Sequence, residues 1–278
     1  MRRKYGIQSL KSLLPLLLAS GETGMIGEHG MLKVTMLKVG KADAIVLEQD
    51  GKALLIDTGE EDDGEDLVDF LFRENVKEIE CLIITHYDKD HVGGADTLIR
   101  TLPVKKAILP DYDSVSSEYR EFLKEAERSG SELIRLNEDC EFVFAGCRVM
   151  IEVPTSFAEY DPDLDNDNDL SLITTVTYGE HRLLFMGDSE KKRLNEWLAK
   201  DHGKFTFMKF PHHGVYNSAL GLLLSKTQPE YIAICDSKKN PADKETLELL
   251  EGRGTVFETK DGNILLRSNG REIEFTQC

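Results

Sequence analysis

The sequence predicts a fold of mixed class, α/β (α+β). Two mixed β-sheets pack face to face, and helices cover their outer surfaces. Two observations support this. Short apolar or alternating runs are followed by segments with helical periodicity, and this order occurs twice along the 278 residues. Sheets that are apolar on both faces need cover on both sides, which a four-layer αββα sandwich provides.

The first half supplies one predicted sheet and its helices. Short turns such as GKA and DGK separate the early strands, which is typical of a meander. The predicted strands are LKVTMLKV, DAIVLEQ, KALLIDTG, ECLIITH and KKAILP. The predicted helices are GEDLVDFLFREN, ADTLIRTL and SSEYREFLKEAERSG. Pro103 stops the second helix, and Gly130 follows the end of the third.

The second half repeats this pattern of strands and helices, but its sequence is not a repeat of the first half. A YGEH turn joins two of its strands as a hairpin. Strands are predicted within CEFVFAGCRVMIEVP and LSLITTVTYGEHRLLFMGD, and in FTFMKFP, YIAICD, TVFET, NILLRS and REIEFTQ. The predicted helices are SEKKRLNEWLAK, NSALGLLLSK and DKETLELLEG. No Pro- or Gly-rich linker interrupts residues 31–278, so we expect one domain there.

Residues 1–30 are predicted to be an extension, either signal-like or disordered. The segment has a basic start, an apolar stretch and small residues near Gly21, as secretory signals do. Its uninterrupted apolar part, Leu13–Ala19, is at the short limit for a signal and too short to span a membrane. Five widely spaced cysteines without a CxxC pair favour a reducing compartment. We therefore expect a cytoplasmic protein, with export as the alternative if residues 1–21 act as a signal peptide.

The net charge of −17 limits the partners of this protein. Charged residues make up 31% of the chain, and such an acidic surface repels nucleic acid and anionic membranes at long range. We expect no stable nucleic-acid complex and no membrane span, and the oligomeric state stays open. An enzyme that touches a nucleic acid only at a metal site remains compatible with this charge.

The segment ITHYDKDHVGG carries the strongest chemical signal. His86, Asp88, Asp90 and His91 fall within six positions, directly after an apolar strand. A strand end holds the backbone rigid while the following loop aims several side chains into one space. Neutral imidazoles and carboxylates together suit Zn, Mn or Fe. The pattern therefore predicts a metal site instead of a solvated charged loop.

Two later strand ends add candidate ligands. Asp188 follows the strand RLLFMG, and His212–His213 follow FMKFP. Each is a weak signal alone, because an Asp before a helix is often a cap and paired histidines are often incidental. Their joint occurrence in the order HxDxDH, D, HH, each beside a glycine, predicts that all three places converge on the same metal site.

These motifs resemble those of the metallo-β-lactamase-fold hydrolases, over nearly all of residues 31–278. The matching pieces are LLIDTG with Asp57, THYDKDHVGG, FMGD and FPHHG. The resemblance implies an αββα sandwich with one or two divalent metal ions at one edge, Zn first and Mn or Fe as alternatives. It also implies that Asp57 is a structural hydrogen-bond acceptor that steadies the metal loop.

The sequence departs from the usual HxHxDH pattern of that family, because Asp88 replaces the second histidine. The family's further histidine, before FMGD, also has no match. Only His181 lies in that interval, and its separation of seven positions from Asp188 would span roughly 23 Å of strand. One site would then contain Asp90, His91, Asp188 and one of the two histidines of the pair. The other would contain His86, Asp88 and the shared Asp188, an oxygen-rich set that favours Mn or Fe.

The HxDxDH form is similar to two sub-groups, the hydrolase domain of the competence DNA-uptake channel protein and the phosphorylcholine esterase of teichoic acid. Both carry an Asn- and Ser-containing stretch before a strand, which Asn168 and Ser171 match. The resemblance implies that these two residues contact substrate, with loop and strand-start structure as the alternative. The channel protein spans the membrane many times, so this chain resembles one domain of it.

The predicted reaction is hydrolysis by a metal-activated water, most plausibly of a phosphodiester bond, because paired cations stabilise its negative charge. Asp90 and His213 are the candidate catalytic residues, and the histidine of the 212–213 pair that does not bind metal is a candidate to contact the phosphate or protonate the leaving group. A C–O, C–N or thioester bond is the alternative substrate, since fold does not fix chemistry. A non-catalytic metal-binding scaffold is the non-enzyme alternative.

Overall fold

The computed structural model describes residues 30–158, 160–161 and 166–278. Residues 1–29 lie outside this range, so the expected extension is not described. Two mixed sheets of eight and seven strands make up the centre of the fold. The predicted four-layer class is confirmed, because helices pack on the outer face of each sheet.

The first sheet has eight strands in the order β15-β14-β1-β2-β3-β4-β5-β6. These strands are β1 (Leu32–Met36), β2 (Ala44–Gln49), β3 (Lys52–Thr58), β4 (Ile79–Ile83), β5 (Lys106–Pro110), β6 (Glu132–Leu136), β14 (Ile264–Ser268) and β15 (Ile273–Gln277). Pairing is antiparallel from β15 to β3 and parallel from β3 to β6. The edge strand β6 was missed from the sequence, whereas the other seven were predicted.

The second sheet has seven strands in the order β13-β12-β11-β10-β9-β8-β7. These strands are β7 (Cys140–Phe144), β8 (Cys147–Glu152), β9 (Ile173–Tyr178), β10 (His181–Phe185), β11 (Phe207–Lys209), β12 (Tyr231–Ile234) and β13 (Thr255–Glu258). Pairing is antiparallel from β7 to β10 and parallel from β10 to β13. Each sheet therefore has a parallel part whose strand ends share one edge.

Seven α-helices are described. They are α1 (Asp63–Arg73), α2 (Lys89–Val92), α3 (Ala95–Thr101), α4 (Ser117–Ser129), α5 (Lys191–Trp197), α6 (Leu220–Thr227) and α7 (Lys244–Leu250). Helix α4 shows how local sequence sets these boundaries. The Ser116 hydroxyl accepts a hydrogen bond from the Tyr119 N–H at its start, and Gly130 adopts φ 77° after its end. The short helix α2 was not predicted.

Three apolar clusters fill the spaces between the layers. The central one lies between the sheets and includes Ile56, Ile83 and Phe185, all fully buried. The second packs α1, α3 and α4 on the first sheet, and the third packs α5 and α6 on the second. Burying one such side chain stabilises the fold by about 1.5–3 kcal/mol, so the layers hold the strand ends firmly.

The described part of the chain contains no helix that is both long enough and apolar enough to cross a membrane.

Candidate metal centre

The candidate site lies where parallel strands from both sheets end. In the first sheet, β3 ends at Thr58 beside Asp57, and β4 leads into residues 85–91. In the second sheet, β10 leads into Asp188, and β11 leads into residues 211–214. Because the ends of parallel strands meet at one edge, loops from two sheets bring their side chains together there.

Asp57 fixes the position of the metal loop. Its Oδ1 accepts a hydrogen bond from the Thr85 N–H at 2.8 Å, and its Oδ2 accepts one from the Thr85 hydroxyl at 2.7 Å. The same Oδ2 lies 2.7 Å from Nδ1 of His91. Asp57 is fully buried, with φ of 59°. The carboxylate thus accepts a hydrogen bond from the Nδ1–H of His91 and turns Nε2 toward the centre of the site.

Four side chains form a tight group, which we call the compact centre: Asp90, His91, Asp188 and His213. One ligand atom from each lies within 4.8 Å of all the others. His91 Nε2 is 3.2 Å from Asp188 Oδ1, and His213 Nε2 is 3.0 Å from Asp188 Oδ2. Both Nε2 atoms and Asp188 Oδ1 are buried without a hydrogen-bond partner. Buried polar atoms are rarely left unsatisfied, so this donor set fits a divalent cation.

The charges around the compact centre keep its carboxylates ionised. Burial alone would raise the pKa of Asp188, but the neighbouring His213, His91 and Lys209 outweigh it and hold that pKa well below the usual range. Burial also opposes the charge of Asp90, whose pKa is nevertheless lowered by the nearby His213, with Nε2 3.4 Å from Asp90 Oδ2, and by the charge of His91. Both carboxylates are therefore anionic across the physiological range and ready to bind a cation.

The histidine pair occupies an unusual backbone conformation. His212 has φ of 44° and His213 has φ of 50°, so two consecutive non-glycine residues are left-handed. Each such residue costs about 1–3 kcal/mol, and this kind of strain gathers at functional sites. The turn sends both imidazoles toward Asp188. His213 is buried and its Nδ1 lies 2.8 Å from the Cys235 carbonyl, whereas His212 lies at the mouth with its side chain 17% exposed.

The remaining predicted ligands lie beside the compact centre in a more open arrangement. His86 is fully buried, and its Nε2 lies 3.5 Å from Asp88 Oδ2. His212 Nε2 lies 4.0 Å from Asp188 Oδ2. Glu190 borders this group, with its Oε1 3.2 Å from His212 Nδ1. We call His86, Asp88, His212 and Glu190 the open side.

Residues 37–235 match the family described as the metallo-beta-lactamase superfamily. The chain belongs to this superfamily. Its fold is that of metal-dependent hydrolases, and the compact centre is a candidate site for their divalent metal. The resemblance drawn from the sequence motifs is therefore confirmed at the level of the superfamily.

Two curated relatives are similar over most of this chain. Recombination protein 2 of Haemophilus influenzae is 28% identical over 214 residues, which cover 75% of this chain and 25% of the relative. ComE operon protein 3 of Bacillus subtilis is 25% identical over 175 residues, which cover 63% of this chain and 22% of the relative. The chain thus spans about a quarter of the length of either relative.

Two solved structures share the architecture. The metallo-beta-lactamase fold protein YhfI of Bacillus subtilis aligns with a TM-score of 0.56 at 12% identity, over 85% of this chain and all of YhfI. Igni18, a metallo hydrolase of the archaeon Ignicoccus hospitalis, aligns with a TM-score of 0.52 at 15% identity, over 89% of this chain and 99% of Igni18. At these identities the likeness shows the fold alone.

Sequence reasoning missed two charged residues beneath the compact centre. Lys209 is fully buried, forms an ion pair with the buried Asp43, and donates to the Gly187 carbonyl at 3.1 Å. Its Nζ also lies 3.5 Å from Asp188 Oδ1. The only sequence signal was a lysine inside the apolar strand FMKF, which a buried anion must compensate.

The two predicted substrate residues differ in their surroundings. Asn168 is half-buried, and its Nδ2 donates to Glu190 Oε1 at 3.3 Å. Ser171 is fully buried, and its hydroxyl accepts a hydrogen bond from the Asp188 N–H at 3.3 Å. Ser171 thus contacts the backbone of a ligand loop, while Asn168 faces the open side. His181 starts β10, at the opposite end of the strand from Asp188.

The glycine before Asp188 permits a close approach of the two sheets. Gly187 has φ of 53°, and a Cβ added there would lie 3.0 Å from the Cβ of Thr85. Thr85 belongs to the metal loop of the first sheet, and Gly187 to the second sheet. A side chain at position 187 would push Asp188 away from His91. Glycine is therefore needed here so that Asp188 can approach His91, as well as for its backbone conformation.

Proposed function

We propose that this protein is a metal-dependent hydrolase that cleaves a phosphodiester bond with a metal-activated water. The observation that carries the proposal is the compact centre, where two carboxylates and two inward-facing imidazoles lie within 4.8 Å of one another. Asp90, His91, Asp188 and His213 would hold one divalent ion. His86, Asp88 and the shared Asp188 would contribute to a second.

Divalent cations bound there would supply Lewis acidity and make a water nucleophilic near neutral pH. The protein's own residues do the rest. Asp57 and the Cys235 carbonyl fix the ring orientations of His91 and His213. Asp90 has a half-buried carboxylate, and its Oδ2 lies 3.4 Å from His213 Nε2. We propose that Asp90, through a carboxylate oxygen that does not face the ion, accepts the proton of the attacking water.

A phosphodiester is favoured over other substrates for two reasons. A diester carries a negative charge that a cationic centre stabilises in the transition state. The relative named Recombination protein 2 also points to nucleic-acid chemistry. The net charge of −17 disfavours long contacts with a nucleic acid, so we propose a small diester or a chain end as substrate. We propose Asn168 as the residue closest to such a substrate on the open side.

Zn is the first choice of metal because each metal-facing imidazole suits it, with Mn or Fe as alternatives. The same fold could cleave a C–O, C–N or thioester bond, or bind metal without catalysis. The geometry of the site favours neither these other hydrolyses nor the non-catalytic role over cleavage of a diester.

The proposal is tested by elemental analysis of the purified protein, beside rates with bis-p-nitrophenyl phosphate, a lactone and a thioester. We expect bound metal and preferential cleavage of the diester. Asp188→Ala should lower the diester rate more than 100-fold, because loss of a direct ligand exceeds the 10–100-fold typical of outer-shell residues. Asp66→Ala, which changes an exposed carboxylate on α1, is the matched control and should keep the full rate.

Metal-loaded protein that cleaves the lactone or the thioester but not the diester would assign it to the alternative hydrolases. Metal-loaded protein that cleaves none of the three would support the scaffold.

A further inference from the structure

The four histidines around the site share one arrangement. In each, Nδ1 lies within hydrogen-bond distance of an acceptor outside the site, and Nε2 is left for the interior. The pairs are His91 with Asp57, His213 with the Cys235 carbonyl, His86 with the Thr85 hydroxyl and His212 with Glu190, at 2.7, 2.8, 3.0 and 3.2 Å. This is the usual arrangement around metal-binding histidines, in which the outer partner fixes the tautomer and the ring orientation.

His212 follows this arrangement although it lies outside the compact centre. Its Nε2 lies 4.0 Å from Asp188 Oδ2, the same carboxylate oxygen that contacts His213. His86, another member of the open side, has a buried Nε2 without a hydrogen-bond partner. This atom lies 3.5 Å from Asp88 Oδ2. Two ligands bound tetrahedrally at about 2.1 Å lie about 3.4 Å apart. The His86–Asp88 pair is already near that separation, and a small rotation of the His212 ring would bring the other pair to it.

We propose that His212, oriented by Glu190, is a ligand of a second divalent cation. The other ligands of that cation would be His86, Asp88 and the carboxylate of Asp188 that it shares with the compact centre. His212 would thereby replace the histidine that this chain lacks between the HxDxDH loop and Asp188.

This assignment makes the two ion sites alike in composition. Each has two imidazoles and two carboxylates, with Asp188 common to both. The second site is therefore not the oxygen-rich set expected from the sequence, and it suits Zn as well as the first does. The left-handed turn at residues 212–213 is what divides two neighbouring histidines between two ions.

Glu190 is a positioning residue in this arrangement. Its side chain is 45% exposed, so it contributes little to packing, but its Oε1 contacts both His212 and Asn168. The Asn168 amide holds the carboxylate from the other side at 3.3 Å. The contacts from Asn168 to Glu190 and from Glu190 to His212 thus orient the His212 ring.

The second site should bind its ion more weakly than the first. Among the described residues, the compact centre is one of two groups of three or more donors that lie within 4.8 Å of one another, and the open side is in neither. Its donors must move closer to share an ion. Asp88 and Glu190 are also 33% and 45% exposed, so water competes for them.

The inference rests on the proposed metal centre, and its test measures metal binding and not activity. Chelator-stripped protein is titrated with Co²⁺, whose visible absorption reports each bound ion, and the stoichiometry is checked by elemental analysis. We expect two equivalents with distinct affinities in the natural protein. His212→Ala should keep the tight equivalent and lose the weak one. Glu190→Ala should weaken the second equivalent by about 10–100-fold and leave the first unchanged.

Two variants control for nonspecific effects. Glu190→Gln keeps a carbonyl oxygen that accepts from His212 Nδ1, so it should recover most of the affinity lost in Glu190→Ala. Glu245→Ala, an exposed change on α7, should have no effect. Circular dichroism checks that each variant is folded, and if His212→Ala is not, the Glu190 pair decides the question.

One equivalent in the natural protein, or two unchanged equivalents in His212→Ala, would overturn the inference. So would a Glu190→Ala variant with an unaltered second equivalent. None of these results depends on diester cleavage. A protein that binds two ions but cleaves no diester would contradict the proposed function and leave the His212 assignment standing.

Discussion

The compact centre and the open side use the same residue types but differ in how the protein supports them. His91 and His213 are fully buried and are oriented by a buried carboxylate and a backbone carbonyl. His212 is partly exposed and is oriented by a surface glutamate. The difference shows that the first group is fixed by the core of the sandwich, whereas the second depends on flexible side chains. We therefore expect perturbations of the two groups to differ in size and in kind.

The largest expected effect concerns the buried ion pair beneath the compact centre. Lys209→Met leaves Asp43 buried without its partner, and breaking such a pair costs about 3–5 kcal/mol. The free energy of unfolding, measured by urea denaturation of metal-free protein, should fall by that amount. The double variant Lys209→Met/Asp43→Asn, which also removes the stranded charge, should lose less.

The matched control is Lys33→Met, which removes a lysine that forms ion pairs with Glu48 and Glu74 and is 35% exposed. An exposed pair contributes about 0–1 kcal/mol, so this variant should be nearly as stable as the natural protein. If Lys33→Met and Lys209→Met lowered the free energy of unfolding equally, the buried Lys209–Asp43 ion pair would be no more important to stability than an exposed one.

The next effect is the pH dependence of metal binding to the compact centre. Burial would lower the pKa of His213, but Asp188 and Asp90 outweigh it and raise that pKa to about 9. Burial likewise opposes the charge of His91, and Asp188 and Asp57 raise its pKa well above the usual value. Both imidazoles are thus protonated in the metal-free protein at neutral pH, and a cation must displace those protons.

Affinity for the first equivalent should therefore rise with pH, by about one to two log units per pH unit below pH 9. The rise should diminish above pH 9, once His213 has already lost its proton. Competition with a chelator that buffers Zn²⁺ between pH 6 and 9 measures this slope. A first equivalent with the same affinity at both ends of that range would contradict the protonation of this group.

The smallest effect concerns Asn168 and decides between its two roles. Asn168→Ala removes one hydrogen bond to Glu190, worth about 1 kcal/mol, so the second equivalent should weaken about fivefold. If Asn168 instead contacts substrate, KM for the diester should rise while Co²⁺ binding stays unchanged. Asp66→Ala, an exposed change on α1, serves as the control for both measurements.

The sequence predicted the parts of the site that carry a local pattern. His86, Asp88, Asp90 and His91 were recognisable because four chelating residues follow one strand. Asp188 was recognisable by its place in an order of motifs. The strand ends then had to converge, which we expected from the joint occurrence of the three motifs in order and from their resemblance to the metallo-β-lactamase-fold hydrolases.

Other parts depend on contacts between distant segments and have no local signal. Asp43 precedes a strand like many turn residues, and its link to Lys209 arises only when both sheets assemble. Glu190 resembles an ordinary residue at the start of a helix. The different roles of His212 and His213 depend on a left-handed backbone that the letters HHG do not specify. Strand β6 was missed because a helix and a turn precede it so closely.

The loop after β4 belongs to one sheet, and the loops after β10 and β11 belong to the other. An ion bound by His91 and Asp188 would therefore cross-link the two sheets, much as a disulfide joins two segments. Its removal should leave the hydrophobic interior in place but allow the two sheets to separate at this edge. The metal would thus have a structural role as well as a catalytic one.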